Sequence, residues 1–408
     1  NERFDRLVGA VKRIFQLSHV EAQLSASAFF TAYGVMSLPA AVLLSRKKAV
    51  GTVLIALGLM VAGCMIMLLA ANIAVYLLVL LGLFVLASGI TILQVAANPL
   101  AAALGPPERS HFRLTFSQTF NSLGTFIGPY LGAVLFLKGV EVKTGEVLTP
   151  EVREASLLGI DRAFFWIAGL IILVGAIIWM GRRVISASAP AAPDETARRG
   201  VFATFRDATS PPWALFGGLA IFLYVGAEVA IGTQMAFFLN SDRVWGIPLE
   251  DAGKMVSLYW GGAMVGRLVG SGLLTRFPAP KLLAVFTGAA AAMCLYVFAI
   301  GGVSAGYVAL AIGLFNSIMF PVIFTITLER STASEEATSG FLCFSIIGGA
   351  AIPPLVGLVS QNSDYVFAFI VPAICSAILL FFAISAGRAR LPRGEAARAA
   401  AEPAPVEP

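Results

Sequence analysis

Charge is what this sequence has least of. Only 12% of its 408 residues are Asp, Glu, Lys or Arg, about half the share of an ordinary soluble domain. Hydrophobic residues make up 58%, and the mean hydropathy is +0.86. A chain with so little charge to face water is neither a soluble enzyme of one or two domains nor a disordered polymer. Histidine is almost missing: His19 and His111 are too few for a histidine-built metal centre. Cys64, Cys294, Cys343 and Cys375 stand far apart inside apolar runs, without a CxxC pair, so no disulfide framework or thiolate metal site is indicated. No Walker-type phosphate loop and no catalytic constellation occurs, which argues against an enzyme, and no cofactor is expected.

What the chain does have is a succession of long apolar runs. At about 20 residues per bilayer-spanning helix, the length holds eleven or twelve spans. Eleven can be read directly. The first five are 22–44, 49–69, 75–104, 114–137 and 163–180, with a polar stretch at 138–158. A linker rich in Ala, Pro, Asp, Glu and Arg follows at 186–212. Six more spans lie near 213–239, 255–274, 282–300, 306–328, 340–359 and 366–384. The expected organisation is an N-terminal helix bundle over 1–185, a linker over 186–212, a C-terminal six-helix bundle over 213–388 and a disordered tail over 389–408. Residues 1–17 carry charges, but Phe4, Leu7, Val8, Val11, Ile14 and Phe15 recur at helical spacing. By themselves they read as an interfacial amphipathic helix; in a bundle, and in a sequence that begins without a methionine, they read as the outer half of a first span whose opening residues are absent.

The net charge of +5 does not point to nucleic acid, because the basic residues fall in short loops between spans. Arg46 to Lys48, Arg109 with Arg113, Arg182 with Arg183, Arg276 with Lys281, Arg330 and the arginines after 387 alternate with loops poorer in Lys and Arg. By the positive-inside rule these ends, the linker and the C-terminus belong on the cytoplasmic side of an inner membrane.

The two halves resemble one another. Asn98-Pro99 leads through Glu108, Arg109 and Arg113 to Gly128-Pro129; Phe320-Pro321 leads through Glu329, Arg330, Glu335 and Glu336 to Pro353-Pro354. Each copy is expected to begin with a proline-broken helix and return through a Gly/Pro-containing one. A duplicated bundle with interrupted helices points to alternating access around a site between the halves.

Polar side chains within the spans mark that site, because an unsatisfied amide or carboxylate in hydrocarbon costs several kcal/mol. Thr91, Gln94 and Asn98 share one helical face, and Ser117, Gln118, Asn121, Ser122 and Thr125 crowd the next span. Carboxamides both donate and accept, which suits adjacent sugar hydroxyls and suits a bare cation poorly. The competing reading is that they join helices to each other. Glu228 sits in an apolar run with no basic residue for several turns on either side, and can load a proton or help hold Na⁺. A structural pair with Arg267 is the alternative, and Arg267 itself reads as structural or gating. Trp260 can stack on a sugar face.

Several of these motifs resemble the fucose–proton symporter family of the major facilitator superfamily. They are Leu93-Gln-Val-Ala-Ala-Asn-Pro99, Arg113-Leu-Thr-Phe-Ser-Gln-Thr-Phe-Asn-Ser-Leu-Gly124, Phe222-Leu-Tyr-Val-Gly-Ala-Glu228, Tyr259-Trp-Gly-Gly-Ala-Met-Val-Gly-Arg267, Asn316-Ser-Ile-Met-Phe-Pro321 and Gly348-Gly-Ala-Ala-Ile-Pro353. Within the family the chain is most similar to the bacterial glucose/galactose branch. The resemblance implies an all-α membrane protein of two six-helix bundles that carries a hexose with a cation and acts as a monomer. It places Gln118 and Asn121 at sugar-site positions; Gln94 and Asn98 from the polar helical face, Trp260 as an aromatic whose alternative is simple packing, and Asn316 from its motif complete the candidate sugar-binding set. Gln94 stands where the fucose branch has a glutamate linked to proton coupling; glutamine cannot titrate, so coupling by H⁺, by Na⁺ or by neither stays open. Asp5 matches an acid of the family's first helix, and with Glu228 forms the expected cation-coupling pair. A membrane sugar sensor that does not transport and a multi-substrate exporter are the rival readings.

Overall fold

The computed structural model describes residues 19–73, 75–136, 150–188 and 200–389, and among these it is helical without strands. The N-terminal half contains α1 (His19–Ile73), α2 (Tyr76–Ala103), α3 (Ser110–Phe136) and α4 (Pro150–Ser188). Helix α1 is two spans joined at Lys48, whose φ of 59° and ψ of 173° break the helix after Arg46 and Lys47. A short α5 (Val201–Thr209) leads to the C-terminal half. That half comprises α6 (Pro212–Asn240), α7 (Leu249–Leu273), α8 (Ala279–Ile300), α9 (Gly302–Asn316), α10 (Met319–Arg330), α11 (Glu335–Phe344), α12 (Gly348–Asn362) and α13 (Ile370–Arg388). The pairs α9/α10 and α11/α12 each form one interrupted span. The expected first span and Asp5 lie outside the described residues, as do 189–199 of the linker and 390–408 of the tail.

Two expectations are corrected. The polar stretch 138–158 is not all loop, since α4 is already helical from Pro150. The linker is not wholly irregular either. Its 201–209 segment is helical, and Asp207 Oδ2 accepts from Ser334 Oγ at 2.9 Å. That serine also caps α11 by accepting from Ala337 N, ahead of Glu335 and Glu336 in the first turn, which suits the positive end of a helix dipole.

Among the described residues, eight helical segments are long and apolar enough to cross a bilayer. Helices α3 and α7 have the length, at 27 and 25 residues, but not the apolar composition. The reason is positional: α3 packs on α7, one from each half, so their shared faces do not meet lipid. The second contact between halves is α11 against α1. By contrast, α4 turns Phe165, Trp166, Leu170, Leu173 and Met180 outward, as a lipid-facing helix must.

Small residues set how closely the halves approach. A Cβ on Gly340 of α11 would lie 2.7 Å from Ala41 Cβ and 3.0 Å from Ser37 O of α1. Gly340→Val is therefore expected to hold the halves apart at this end, since there is no room for the added branches. A cysteine placed at the buried Ala102 should then react several-fold faster with a maleimide than in the parent; equal rates would show that the contact does not set the closure.

Candidate functional site

The contacts between halves gather at the end that carries the basic loops. Ser110 Oγ donates to Glu329 Oε1 at 2.9 Å, His111 Nε2 lies 3.2 Å from the same oxygen, and His111 Nδ1 pairs with Thr325 Oγ1. Two prolines shape the rest of this seam. Proline has no N–H, so the carbonyl four residues earlier loses its helical donor. Pro99 in this way frees Val95 O, and Ser339 Oγ of α11 donates to it across the seam at 2.7 Å. Pro321 frees Ser317 O, and Arg267 Nε donates to it at 2.8 Å. The duplicated proline thus does the same job twice: it exposes an acceptor for a neighbouring helix.

The expected symmetry is only partial. The C-terminal copy is a truly broken helix, interrupted between Asn316 and Met319, whereas α2 runs unbroken through Pro99.

Above this seal the carboxamides form a chain. Gln118 Nε2 donates to Asn98 Oδ1 at 3.1 Å, and Asn121 Nδ2 donates to Gln118 Oε1 at 3.1 Å. Asn98 is buried, Gln118 is partly covered and Asn121 is exposed. Asn98 Nδ2 is buried without a hydrogen-bond partner, an arrangement that costs about 1–3 kcal/mol unless something accepts from it. Gln94 stands apart from this chain, donating instead to Tyr33 Oη of α1 at 2.9 Å. Thr91, Ser117 and Thr125 bond to carbonyls of their own helices, at Ala87, Leu114 and Asn121, and add nothing to the chain.

A second cluster surrounds Glu228. Its Oε1 lies 3.8 Å from Arg267 Nη2 and has no hydrogen-bond donor. Tyr259 Oη donates to Glu228 O at 3.2 Å and accepts from Asn316 Nδ2 at 3.0 Å. Asn316 therefore belongs to the acid's surroundings and not to the carboxamide chain. The Trp260 ring covers Gly232 of α6 and meets Tyr259 edge to face, with centroids 5.1 Å apart. Arg267 connects the two clusters, because its Nη1 donates to Ser122 Oγ and, at 3.4 Å, to Gln118 O of α3.

Sequence reasoning missed Tyr33 and Ser339. The second was open to discovery, since Pro99 announces a free carbonyl at Val95, although which helix would supply the donor is a tertiary fact.

Two helical halves, joined at one end and holding polar side chains at their seam, define a membrane protein of the transporter type. The chain belongs to the Major Facilitator Superfamily, which it matches over residues 7–341. It is 37% identical over 382 residues to a glucose/galactose transporter of Brucella abortus, covering 93% of this chain and 89% of that protein. It is 31% identical over 401 residues to the L-fucose-proton symporter of Escherichia coli, covering 94% and 89%. Among solved structures, it superposes on FucP in the outward conformation with a TM-score of 0.83, 28% identity and 95% of each chain covered.

Proposed function

We propose that this protein is a secondary active transporter that imports a hexose, of the glucose or galactose type, by alternating access coupled to a cation. One observation carries the reading. The chain Asn98–Gln118–Asn121 runs from the interior to an exposed end, at the seam that has to open and close, and holds an unused buried donor. Such groups can exchange their mutual bonds for the hydroxyls of a sugar ring at little net cost. The names borne by the relatives from Brucella abortus and Escherichia coli support the same substrate class. The basic loops support a cytoplasmic position for the sealed end in an inner membrane, and on that reading the state described faces outward. Glu228 is the group that responds to the cation, and Arg267 sits between it and the sugar site.

Counterflow tests this directly. Proteoliposomes carrying the full-length chain and preloaded with unlabelled galactose should take up labelled galactose saturably, and glucose should compete. No uptake above empty liposomes would overturn the reading. Equilibrium sugar binding without flux would instead identify a sensor.

A further inference from the structure

Arg267 has more claims on it than any other side chain at the seam. Its three nitrogens face three directions. Nε is tied to Ser317 O, the carbonyl that Pro321 leaves free, and this bond lies within the C-terminal half. Nη1 reaches across to Ser122 Oγ and Gln118 O, both on α3 of the other half. Nη2 points toward Glu228 but stops 3.8 Å away, leaving Oε1 without a donor. The residue is buried, with 8% of its surface exposed.

We propose that Arg267 couples the proton to the movement of the halves by dividing its guanidinium between α3 and Glu228. This rests on the transport reading above and adds to it both the coupling ion and the device. While the seam is shut, Ser122 and the Gln118 carbonyl occupy Nη1 and hold the guanidinium off the acid. Glu228 is then best accommodated as the neutral carboxylic acid.

When the halves part at this end, both α3 acceptors leave together, whereas the Ser317 anchor moves with Arg267. A buried guanidinium that has lost two acceptors needs a negative partner. It turns to Glu228, whose O–H bond breaks; the proton passes to water on the newly opened side and the electron pair stays on the carboxylate. A proton taken up from outside is thereby released inside, as symport requires.

The other titratable groups facing Glu228 are Tyr224 of its own helix and Tyr259 of α7. Around those groups the neutral Asn316 bonds to Tyr259, and Ser317, Ser122 and Gln118 bond to Arg267. The cationic partner of Glu228 among the described residues is Arg267. The same α3 residue, Gln118, gives its carbonyl to Arg267 and its side chain to the carboxamide chain, which places the sugar site one residue from the proton device.

The test is the pH dependence of galactose uptake in proteoliposomes, with counterflow at one pH recorded for every variant to report sugar passage by itself. Ser122→Ala removes one α3 acceptor, frees Arg267 for Glu228 in the shut state, and should displace the midpoint to more acidic pH by about one unit. Ser122→Thr restores the hydroxyl and should restore the wild-type midpoint. In a Glu228→Gln background the displacement should vanish. A wild-type midpoint in Ser122→Ala, or an equal displacement without Glu228, would overturn the proposal. So would wild-type uptake that ignores pH while counterflow persists, a result that leaves sugar transport standing. Absence of counterflow in the parent would instead remove the transport reading itself.

Discussion

Asn121→Ala is expected to reduce hexose uptake strongly at substrate concentrations near the parent's half-saturation point. The substitution removes the exposed end of the carboxamide chain and leaves Gln118 Oε1 without the donor it has at 3.1 Å. A hydrogen bond contributes on the order of 1 kcal/mol net, and leaving a buried partner unsatisfied costs about 1–3 kcal/mol. Loss of the sugar contact should weaken affinity by about tenfold. Thr125→Ala, one turn further on, serves as the contrast. Its hydroxyl bonds to the carbonyl of Asn121 within the same helix at 3.0 Å, and its removal should change uptake less than twofold. Competition curves for labelled galactose in the two variants check both statements. Equal affinity in Asn121→Ala and the parent would exclude that residue from the site.

The second large effect is expected at Glu228. Glu228→Gln keeps the shape of the side chain but cannot lose a proton, so it should stop accumulation of galactose driven by an acidic exterior. Exchange of sugar for sugar needs no net proton movement and should continue in this variant. Accumulation ratios under an imposed pH gradient, set beside counterflow in the same vesicles, separate the two activities. A variant that still concentrates sugar tenfold against its gradient would show that the coupling group lies elsewhere, and Asp5 would be the next acid to examine.

The spans were legible because lipid leaves the chain little choice. Backbone groups must be satisfied within each helix and side chains facing hydrocarbon must be apolar, so the runs at 213–239 and 282–300 became α6 (Pro212–Asn240) and α8 (Ala279–Ile300) within a few residues. Helices α3 and α7 are legible only as long helices; they need not be apolar, because each faces the other half. The interruptions were half legible. Pro99 and Pro321 both mark free carbonyls, but only the second sits at a real break, between Asn316 and Met319.

At the site, Asn98, Gln118 and Asn121 were found by their spacing and do assemble. Gln94 shares their helical face with Asn98, yet bonds to Tyr33 because α1 comes close enough to offer a hydroxyl. Asn316 entered the set with a motif of the family resemblance, and Trp260 as an aromatic near the expected cavity. Tyr259 lies between them and draws both toward Glu228's neighbourhood, which spacing along the chain cannot reveal. Arg267 shows the same gap most plainly: the sequence offers Glu228 as its partner, while its three hydrogen bonds go to backbone or hydroxyl oxygens of α3 and of the α9–α10 break.

Equilibrium binding of labelled galactose to the purified full-length chain bears most directly on the central claim, since it depends on neither coupling nor flux. The parent should bind saturably, with glucose competing. The double variant Gln118→Leu/Asn121→Leu, which keeps bulk but removes both carboxamides, should show no saturable binding over the same range. Undiminished galactose affinity in the double variant would contradict the account, because the sugar would then be held by something other than the carboxamide chain.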